Sequence, residues 1–267
     1  LDIVFSKCVA HFCNLYHVGQ RYLATSATMT NESQFFSGRK VRARADHYAR
    51  LHKRLQHKGT RSAKRRMIAL SRRERRFKLN TNHIIAKTIV KAHPYTLIGL
   101  ENLTGIRERT KRRKYRRKGK QLLPLTTKQR RANRHASNWA FAELHKIIAY
   151  KACLAGSQAV KVDADYTSKA CPMCGYTDKR NRPDHGLRFV CQNDVCQYYI
   201  RTDRRYTLHA DLIGARNIAM RTLCVWHDWI QTGHLSLAPD VSDREAKAAR
   251  LTRYAELRWS PDTSLLL

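Results

Sequence analysis

Over residues 1–37 apolar and polar positions alternate, as in Val9-Ala10-His11-Phe12 and again in Tyr22-Leu23-Ala24-Thr25. A period of two turns one strand face inward, and Gly19 and the Asn31/Ser33 region interrupt it, so the pattern predicts strands joined by turns. From Arg39 the period lengthens. Val41, Ala45, Tyr48, Leu51 and Leu55 recur at steps of three and four, as on one face of a helix. Lys58-Gly59 closes that helix, and a second runs from about Ser62 to Ala92, where His93-Pro94 stops it. Together they predict an antiparallel helical hairpin. Thr96-Leu97-Ile98-Gly99-Leu100 is a short apolar run that reads as a buried strand, with Glu101 at its end. Helical spacing returns over Thr126–Ala155 (Trp139, Leu144, Ile147, Ile148) and ends at Gly156. A strand at Ala159–Val162 and a helix over Asp211–Leu223 follow, and residues 227–267 are patterned so weakly that they read as a loosely held tail. There is no internal repeat.

Eight cysteines fall into two classes. Cys8, Cys13, Cys153 and Cys224 are scattered in apolar surroundings and read as buried thiols. Cys171, Cys174, Cys191 and Cys196 form one group: Cys-x-x-Cys, sixteen intervening residues, then a pair with four residues between its members. Two close pairs of thiolates separated by a loop of that length can meet around one tetrahedral Zn²⁺, and a closed set of four leaves no open position, so this zinc would be structural. The plainer alternative is four reduced thiols. No secretory signal opens the chain, which argues for metal over disulfides and for a cytoplasmic location.

Charge narrows the partners. Against 20 acidic residues stand 53 Lys and Arg, a formal charge of +33. Such an excess repels itself unless a polyanion neutralises it, and nucleic acid is the commonest one. A membrane is not expected as a partner: no apolar run approaches the roughly 20 residues that cross a bilayer. The charge is concentrated. Residues 61–78 carry nine Lys or Arg against one Glu, among them Arg61, Lys64, Arg65, Arg66, Arg72 and Arg73. Residues 107–120 carry ten against one acid, including Arg112, Arg113, Arg116 and Arg117, without apolar periodicity, and read as a mobile arm that nucleic acid would order. Lys169, Lys179, Arg180, Arg182 and Arg188 surround the cysteine pairs.

Two acids stand at element ends. Glu101 closes an apolar strand, where a carboxylate is ordinarily solvated, and Asp211 opens a helix, where it is ordinarily a cap. The same placement is also how phosphodiester nucleases gather Mg²⁺ from distant parts of a chain.

Five blocks carry a family resemblance: 18–25 (Val-Gly-Gln-Arg-Tyr-Leu-Ala-Thr), 98–105 (Ile-Gly-Leu-Glu-Asn-Leu-Thr-Gly), Trp139-Ala140-Phe141 with Tyr150-Lys151-Ala152, 163–168 (Asp-Ala-Asp-Tyr-Thr-Ser) leading into Cys171-Pro172-Met173-Cys174-Gly175, and 209–219 (His-Ala-Asp-Leu-Ile-Gly-Ala-Arg-Asn-Ile-Ala). In this order, over about residues 10–225, the chain resembles the C-terminal part of TnpB (OrfB-type) proteins, transposon-encoded relatives of type V CRISPR effectors. The resemblance implies an α/β, RNase H-like (RuvC) core with a target-nucleic-acid-binding zinc ribbon inserted before its last helix. It also implies a DNA target, a guide RNA, and an endonuclease site in which an Asp/Glu/Asp triad binds Mg²⁺. By motif position Glu101 is the second member and Asp211 the third.

The chain departs from the family pattern in three places. His17 stands where the family has its first acid. The second cysteine pair is wider, and residues 197–207 lengthen the path to His209. The family's N-terminal β-barrel and helical region does not precede the first block, and Leu1 is not a methionine, so the N-terminus reads as a fragment boundary. His17 weighs most, because imidazole is a poor Mg²⁺ ligand, although a lone histidine is also commonly just packed or solvated. The resulting organisation is first core strands at 1–38, a basic helical hairpin at 39–93, continued core at 94–166, a zinc ribbon at 167–208, a last core helix at 209–226 and a tail at 227–267. Two functions stay open: an RNA-guided DNA-binding protein with an impaired or dead nuclease, and an active Mg²⁺-dependent endonuclease.

Overall fold

A computed structural model describes residues 7–12, 22–104, 115–118, 121–127, 129–130, 141–183, 187–240 and 242–259. The alternating N-terminal segment forms β1 (Lys7–Phe12), β2 (Tyr22–Thr28) and β3 (Ser33–Ser37). The apolar run is β4 (Thr96–Asn102), all seven residues of which are buried. Later strands are β5 (Tyr115–Lys118), β6 (Gln121–Pro124), β7 (Gln158–Asp163), β8 (Arg188–Val190) and β9 (Thr207–His209). Helices are α1 (Arg39–Lys58), α2 (Arg61–Ala92), α3 (Phe141–Leu154), α4 (Gln197–Thr202), α5 (Ala210–Thr232) and α6 (Arg244–Glu256).

Five strands make the central sheet in the order β3-β2-β1-β4-β7. The first three are antiparallel neighbours, whereas β1 pairs β4 and β4 pairs β7 in parallel. Parallel neighbours need crossovers. The α1–α2 hairpin lies in the crossover between β3 and β4, and α3 in the one between β4 and β7. Both α1 and α2 end as their residues dictate: Gly59 takes the left-handed conformation after α1, and the Thr60 hydroxyl caps α2 by accepting from the Ala63 amide at 3.2 Å.

Alternation along β4 divides the core. Ile98 and Leu100 enter the layer built with Val41 of α1, Ile85 and Ile89 of α2, and Leu144 and Ile148 of α3. Leu97 enters the opposite layer, with Val160, Val162, Ala215, Ile218 and Ala219. The approach of α5 is closest at Gly99, where a Cβ would stand 1.7 Å from the Thr222 hydroxyl. A glycine inside a strand commonly marks such an approach. The next residue on this face is Glu101, which the same close packing buries.

Three expectations need correction. Residues 227–267 are not a loose tail as far as they are described: α5 continues to Thr232, α6 follows, and Trp259 is buried against the α5 layer. Their weak apolar pattern reflects attachment by charge pairs and two aromatic rings. Within the basic arm residues 115–118 form β5, which pairs with β6 just beyond the arm. Of the helix expected over Thr126–Ala155, residues 127, 129 and 130 and α3 are helical, and Trp139 lies outside the described residues. Cys153 is exposed, because the outer side of α3 carries it. Among the described residues no helix is long and apolar enough to cross a membrane.

Candidate metal centre and carboxylate site

Two knuckles bring the four clustered cysteines together. In the first, the Gly175 amide donates to the Cys171 carbonyl at 2.8 Å and the Cys171 amide to the Tyr176 carbonyl at 2.9 Å. Gly175 adopts a φ of +73°, and a Cβ there would lie 2.2 Å from the Ala255 carbonyl, so glycine is required twice over. Asn181 joins the knuckles. Its amide donates to the Lys169 carbonyl (2.8 Å) and the Tyr176 carbonyl (3.1 Å), and its side-chain oxygen accepts from the Gln192 amide (2.9 Å). Phe189, fully buried, packs with Tyr206 and Ile213 as the ribbon's own small core.

The Sγ atoms of Cys171, Cys174, Cys191 and Cys196 all lie within 4.8 Å of one another. Cys174 and Cys191 are 3.7 Å apart. Tetrahedral bonds of about 2.3 Å would put two sulfurs roughly 3.8 Å apart, so the set fits a closed tetrathiolate centre. Hydrogen bonds from the Cys171 and Cys191 thiols hold the Cys174 thiol far below its ordinary range, and the same bond pushes Cys171 up. Asn193 adds a donor to the Cys174 sulfur at 3.5 Å.

The ribbon's last strand feeds directly into the second site. His209 ends β9 and caps α5, its Nδ1 accepting from the Asp211 amide at 3.2 Å. An accepting Nδ1 places the ring proton on Nε2, so the 3.8 Å approach to Asp211 Oδ2 joins a neutral ring to a carboxylate. Tyr22 and Phe35 hold the ring edge-on at 5.4 and 5.2 Å. Asp211, 2 % exposed, therefore sits in the first turn of α5 beside the sheet. Burial pushes its carboxyl up to about 6, against the pull of the Arg182 guanidinium.

Glu101 shares this environment. Burial raises it well above the ordinary glutamate range and the Asp211 charge adds to it, while the Arg221 guanidinium and the nearby Thr167 hydroxyl, itself donating to the Ala164 carbonyl at 3.1 Å, oppose it. The structure thus brings Glu101 and Asp211, 110 positions apart in the sequence, into electrostatic contact. Two buried, mutually repelling carboxylates are suited to a hard divalent cation, whose charge would relieve the repulsion. His17, the third residue singled out, lies outside the described residues.

Sequence patterning did not connect these carboxylates to the basic residues that complete the site. Arg182, 8 % exposed and contributed by the ribbon, faces Asp211. Arg221, 5 % exposed, donates to the Asp163 and Asp165 carbonyls, the second at 2.8 Å. Asn217 donates to the Thr167 carbonyl at 2.6 Å and the Ala170 carbonyl at 2.9 Å, tying the turn before the first knuckle to α5. A signal existed for Asn217, inside the Ala-Arg-Asn-Ile-Ala block. Arg182 stood out only as one of the cations around the cysteine pairs and nothing marked Arg221, because the partners of both lie far away in the chain.

The Cas12f1-like TNB domain family matches residues 141–218, from α3 through the ribbon into α5. Over 166 residues the chain is 32% identical to the CRISPR-associated endodeoxyribonuclease Cas12f2 of Micrarchaeota archaeon (strain CG1_02_47_40), which is 61% of this chain and 27% of that protein. Over 86 residues it is 36% identical to InsQ of Escherichia coli (strain K12), a TnpB-type protein, covering 32% of this chain and 19% of InsQ. Over these segments the chain is similar to TnpB- and Cas12f-type proteins. It spans about a third or less of the length of these curated relatives. A Cas12f1–sgRNA–target DNA complex contains a similarly folded protein, with a TM-score of 0.53, 16% identity, and coverage of 80% of this chain and 50% of that one.

Among the described residues, α2 carries a dense row of exposed cations. Arg61, Lys64, Arg65, Arg66, Arg72 and Arg73 are all exposed, while Glu74 is engaged by Lys78 at 2.8 Å. Arg116 and Arg117 lie in β5, and Arg112 and Arg113 lie outside the described residues.

Proposed function

We propose that this chain is the nuclease-core and zinc-ribbon part of an RNA-guided DNA-binding protein, with cleavage impaired because His17 occupies the first acidic position. The observation that carries the reading is the burial of Glu101 and Asp211 together at the junction of sheet, α5 and ribbon. A sheet of three antiparallel strands followed by two parallel ones, with helices in its crossovers, supports an RNase H-like (RuvC) core. The relatives supply the rest: they include endodeoxyribonucleases, and a similar fold occurs in a complex with guide RNA and target DNA.

Zn²⁺ would be held by Cys171, Cys174, Cys191 and Cys196 as a structural ion, fixing the ribbon from which Arg182 reaches Asp211. Mg²⁺ would be held by Glu101 and Asp211, and bound there it supplies charge neutralisation and water activation. The protein's own share is to keep both carboxylates dry and aimed. Arg221 faces Glu101, while His209 fixes the first turn of α5 and hence Asp211. Arg182 is placed to meet a phosphate beside Asp211. The exposed cations of α2 and the basic arm would hold the nucleic-acid backbone, which log affinity falling linearly with log salt would report. Imidazole at position 17 subtracts one oxygen ligand and one negative charge from this cluster.

Intact Glu101 and Asp211 favour a second reading, an active Mg²⁺-dependent endonuclease associated with a transposable element. The test compares the parent with His17→Asp and Glu101→Gln, each supplied with guide RNA and the relatives' N-terminal region. Under the proposal cleavage is low in the parent, rises by orders of magnitude in His17→Asp and is absent when Glu101→Gln is added; Mn²⁺, which tolerates nitrogen ligands better, partly rescues the parent. Strong Mg²⁺-dependent cleavage by the parent, lost in Glu101→Gln, establishes the second reading instead. Nucleic acid that copurifies as a discrete RNA supports guidance, whereas random fragments reduce the binding to electrostatics.

A further inference from the structure

Residues 236–259 touch three parts of the molecule. At the free edge of the sheet, the Leu237 carbonyl accepts from the Lys161 amide of β7 at 2.8 Å. Along α6, Lys247 pairs with Asp165 at 2.9 Å, Arg250 with the 1 %-exposed Asp163 at 2.8 Å, and Arg253 with Asp228 at 2.8 Å. Tyr254 lies 4.5 Å beneath the Arg221 guanidinium, the group that faces Glu101. Beyond the helix, the Trp259 amide donates to the Pro172 carbonyl of the first knuckle at 2.7 Å, and Arg216 of α5 covers the Trp259 ring at 4.9 Å. The Ala255 carbonyl and Arg258 close over Gly175 from outside.

We propose that this C-terminal segment is a strap that fixes the cysteine ribbon against the carboxyl end of the sheet, with Arg250 and Tyr254 as positioning residues for Arg221 beside Glu101. The charge logic supports it. Arg221 spends its donors on the Asp163 and Asp165 carbonyls, and those same residues' carboxylates are held by Arg250 and Lys247. Removing α6 would leave Asp163 without its cation and open the Arg221 face to water, so the turn leading from β7 into the first knuckle would lose its outer support. A strap placed this way couples the ribbon, which carries Arg182, to the strand end that carries Glu101. The positioning role rests on the nuclease reading; the strapping role does not.

The test uses the full metal-loaded chain and amide hydrogen exchange. Trp259→Ala speeds exchange at the Cys171 and Gly175 amides by about tenfold while the β4 amides keep the parent rate. Should Trp259→Ala fail to fold, Arg250→Gln, altered at a partly exposed side chain, speeds exchange at the Lys161 amide in the same way. Parent-like exchange at these amides in the variants that fold overturns the strap. Positioning is read by Mn²⁺ titration: Tyr254→Ala weakens binding by about tenfold, and Tyr254→Phe, which keeps the ring face under Arg221, restores it. Equal Mn²⁺ affinity in the parent and Tyr254→Ala overturns the positioning role. A parent whose Mn²⁺ binding is unchanged by Glu101→Gln overturns the nuclease reading and the positioning role with it, leaving the exchange result to decide the strap alone.

Discussion

Gly99→Ala perturbs the site without touching a charged group. The added methyl would stand 1.7 Å from Thr222 Oγ1, 2.9 Å from its Cβ and 3.2 Å from its Cγ2. Ordinary carbon contacts need about 3.5–4.0 Å. Rotating Thr222 would move the hydroxyl aside but break its 2.8 Å bond to the Ile218 carbonyl, and no rotation moves the Cβ. Thr222 is fully buried, so α5 itself must retreat from β4. Overpacking of this kind costs about 2–3 kcal/mol, near the upper end of its usual range. Equilibrium urea unfolding reads the loss. Thr222→Ala removes two of the three clashing atoms, so the double variant should be about 1 kcal/mol more stable than the sum of the single changes. Because α5 also carries Asp211 and Arg221, Gly99→Ala should weaken divalent-cation binding as well. A Gly99→Ala variant within about 0.5 kcal/mol of the parent, or strict additivity with Thr222→Ala, would refute the claim that this contact sets the distance between helix and strand.

Elemental analysis should find about one Zn²⁺ per chain, and Cys171→Ser or Cys191→Ser should release it and unfold the ribbon, since a structural site contributes its own folding energy. Well under half an equivalent after zinc-replete expression would contradict the assignment. Neutralising Arg112, Arg113, Arg116 and Arg117 together should flatten the log affinity against log salt plot for duplex DNA by up to roughly 0.9 per lost phosphate contact, with little change in sequence preference; an unchanged slope would make the arm a bystander. Burial raises Asp211 from 3.8 to about 6, so the folded state keeps a proton that the unfolded chain releases, and stability falls as pH rises from about 4 to 6. Without added divalent cation, Asp211→Asn should reduce that slope, leaving the part that the likewise raised Glu101 contributes, and gain about 2–3 kcal/mol at pH 7, measured by thermal unfolding across pH; an identical slope in the variant would show that Asp211 does not contribute to it.

The readable features were those whose physics is local. Helical spacing over residues 41–55 and the pair Lys58-Gly59 describe a helix and its end because both depend on neighbours a few positions apart. The cysteine pairs are legible for the same reason: a two-residue gap is itself the chelating geometry. Glu101 could be placed at a strand end, but its partnership with Asp211 became visible only through the family blocks, since no periodicity reports which strand end meets which helix start. Arg182 and Asp163 were legible only as a ribbon cation and as part of a family block, and Arg221 not at all, because a buried charge pair leaves no mark on hydropathy. Arg250 and Asp163 are 87 positions apart, and nothing near either one announces the other. The C-terminal helix shows the limit most clearly. The sequence Arg-Glu-Ala-Lys-Ala-Ala-Arg-Leu-Thr-Arg-Tyr-Ala-Glu has no wide apolar stripe, and none of its residues is buried. By hydrophobic patterning it belongs in solvent. It docks because its cations meet the buried carboxylate at the end of β7 and more open ones along α5 and in the turn that follows β7, and because Tyr254 offers an aromatic face to a buried guanidinium. A solvent-exposed pair contributes little alone, but three pairs in register along one helix, one of them on a buried carboxylate and all anchored beyond the helix by a buried tryptophan, fix a segment that apolar burial alone would have left free.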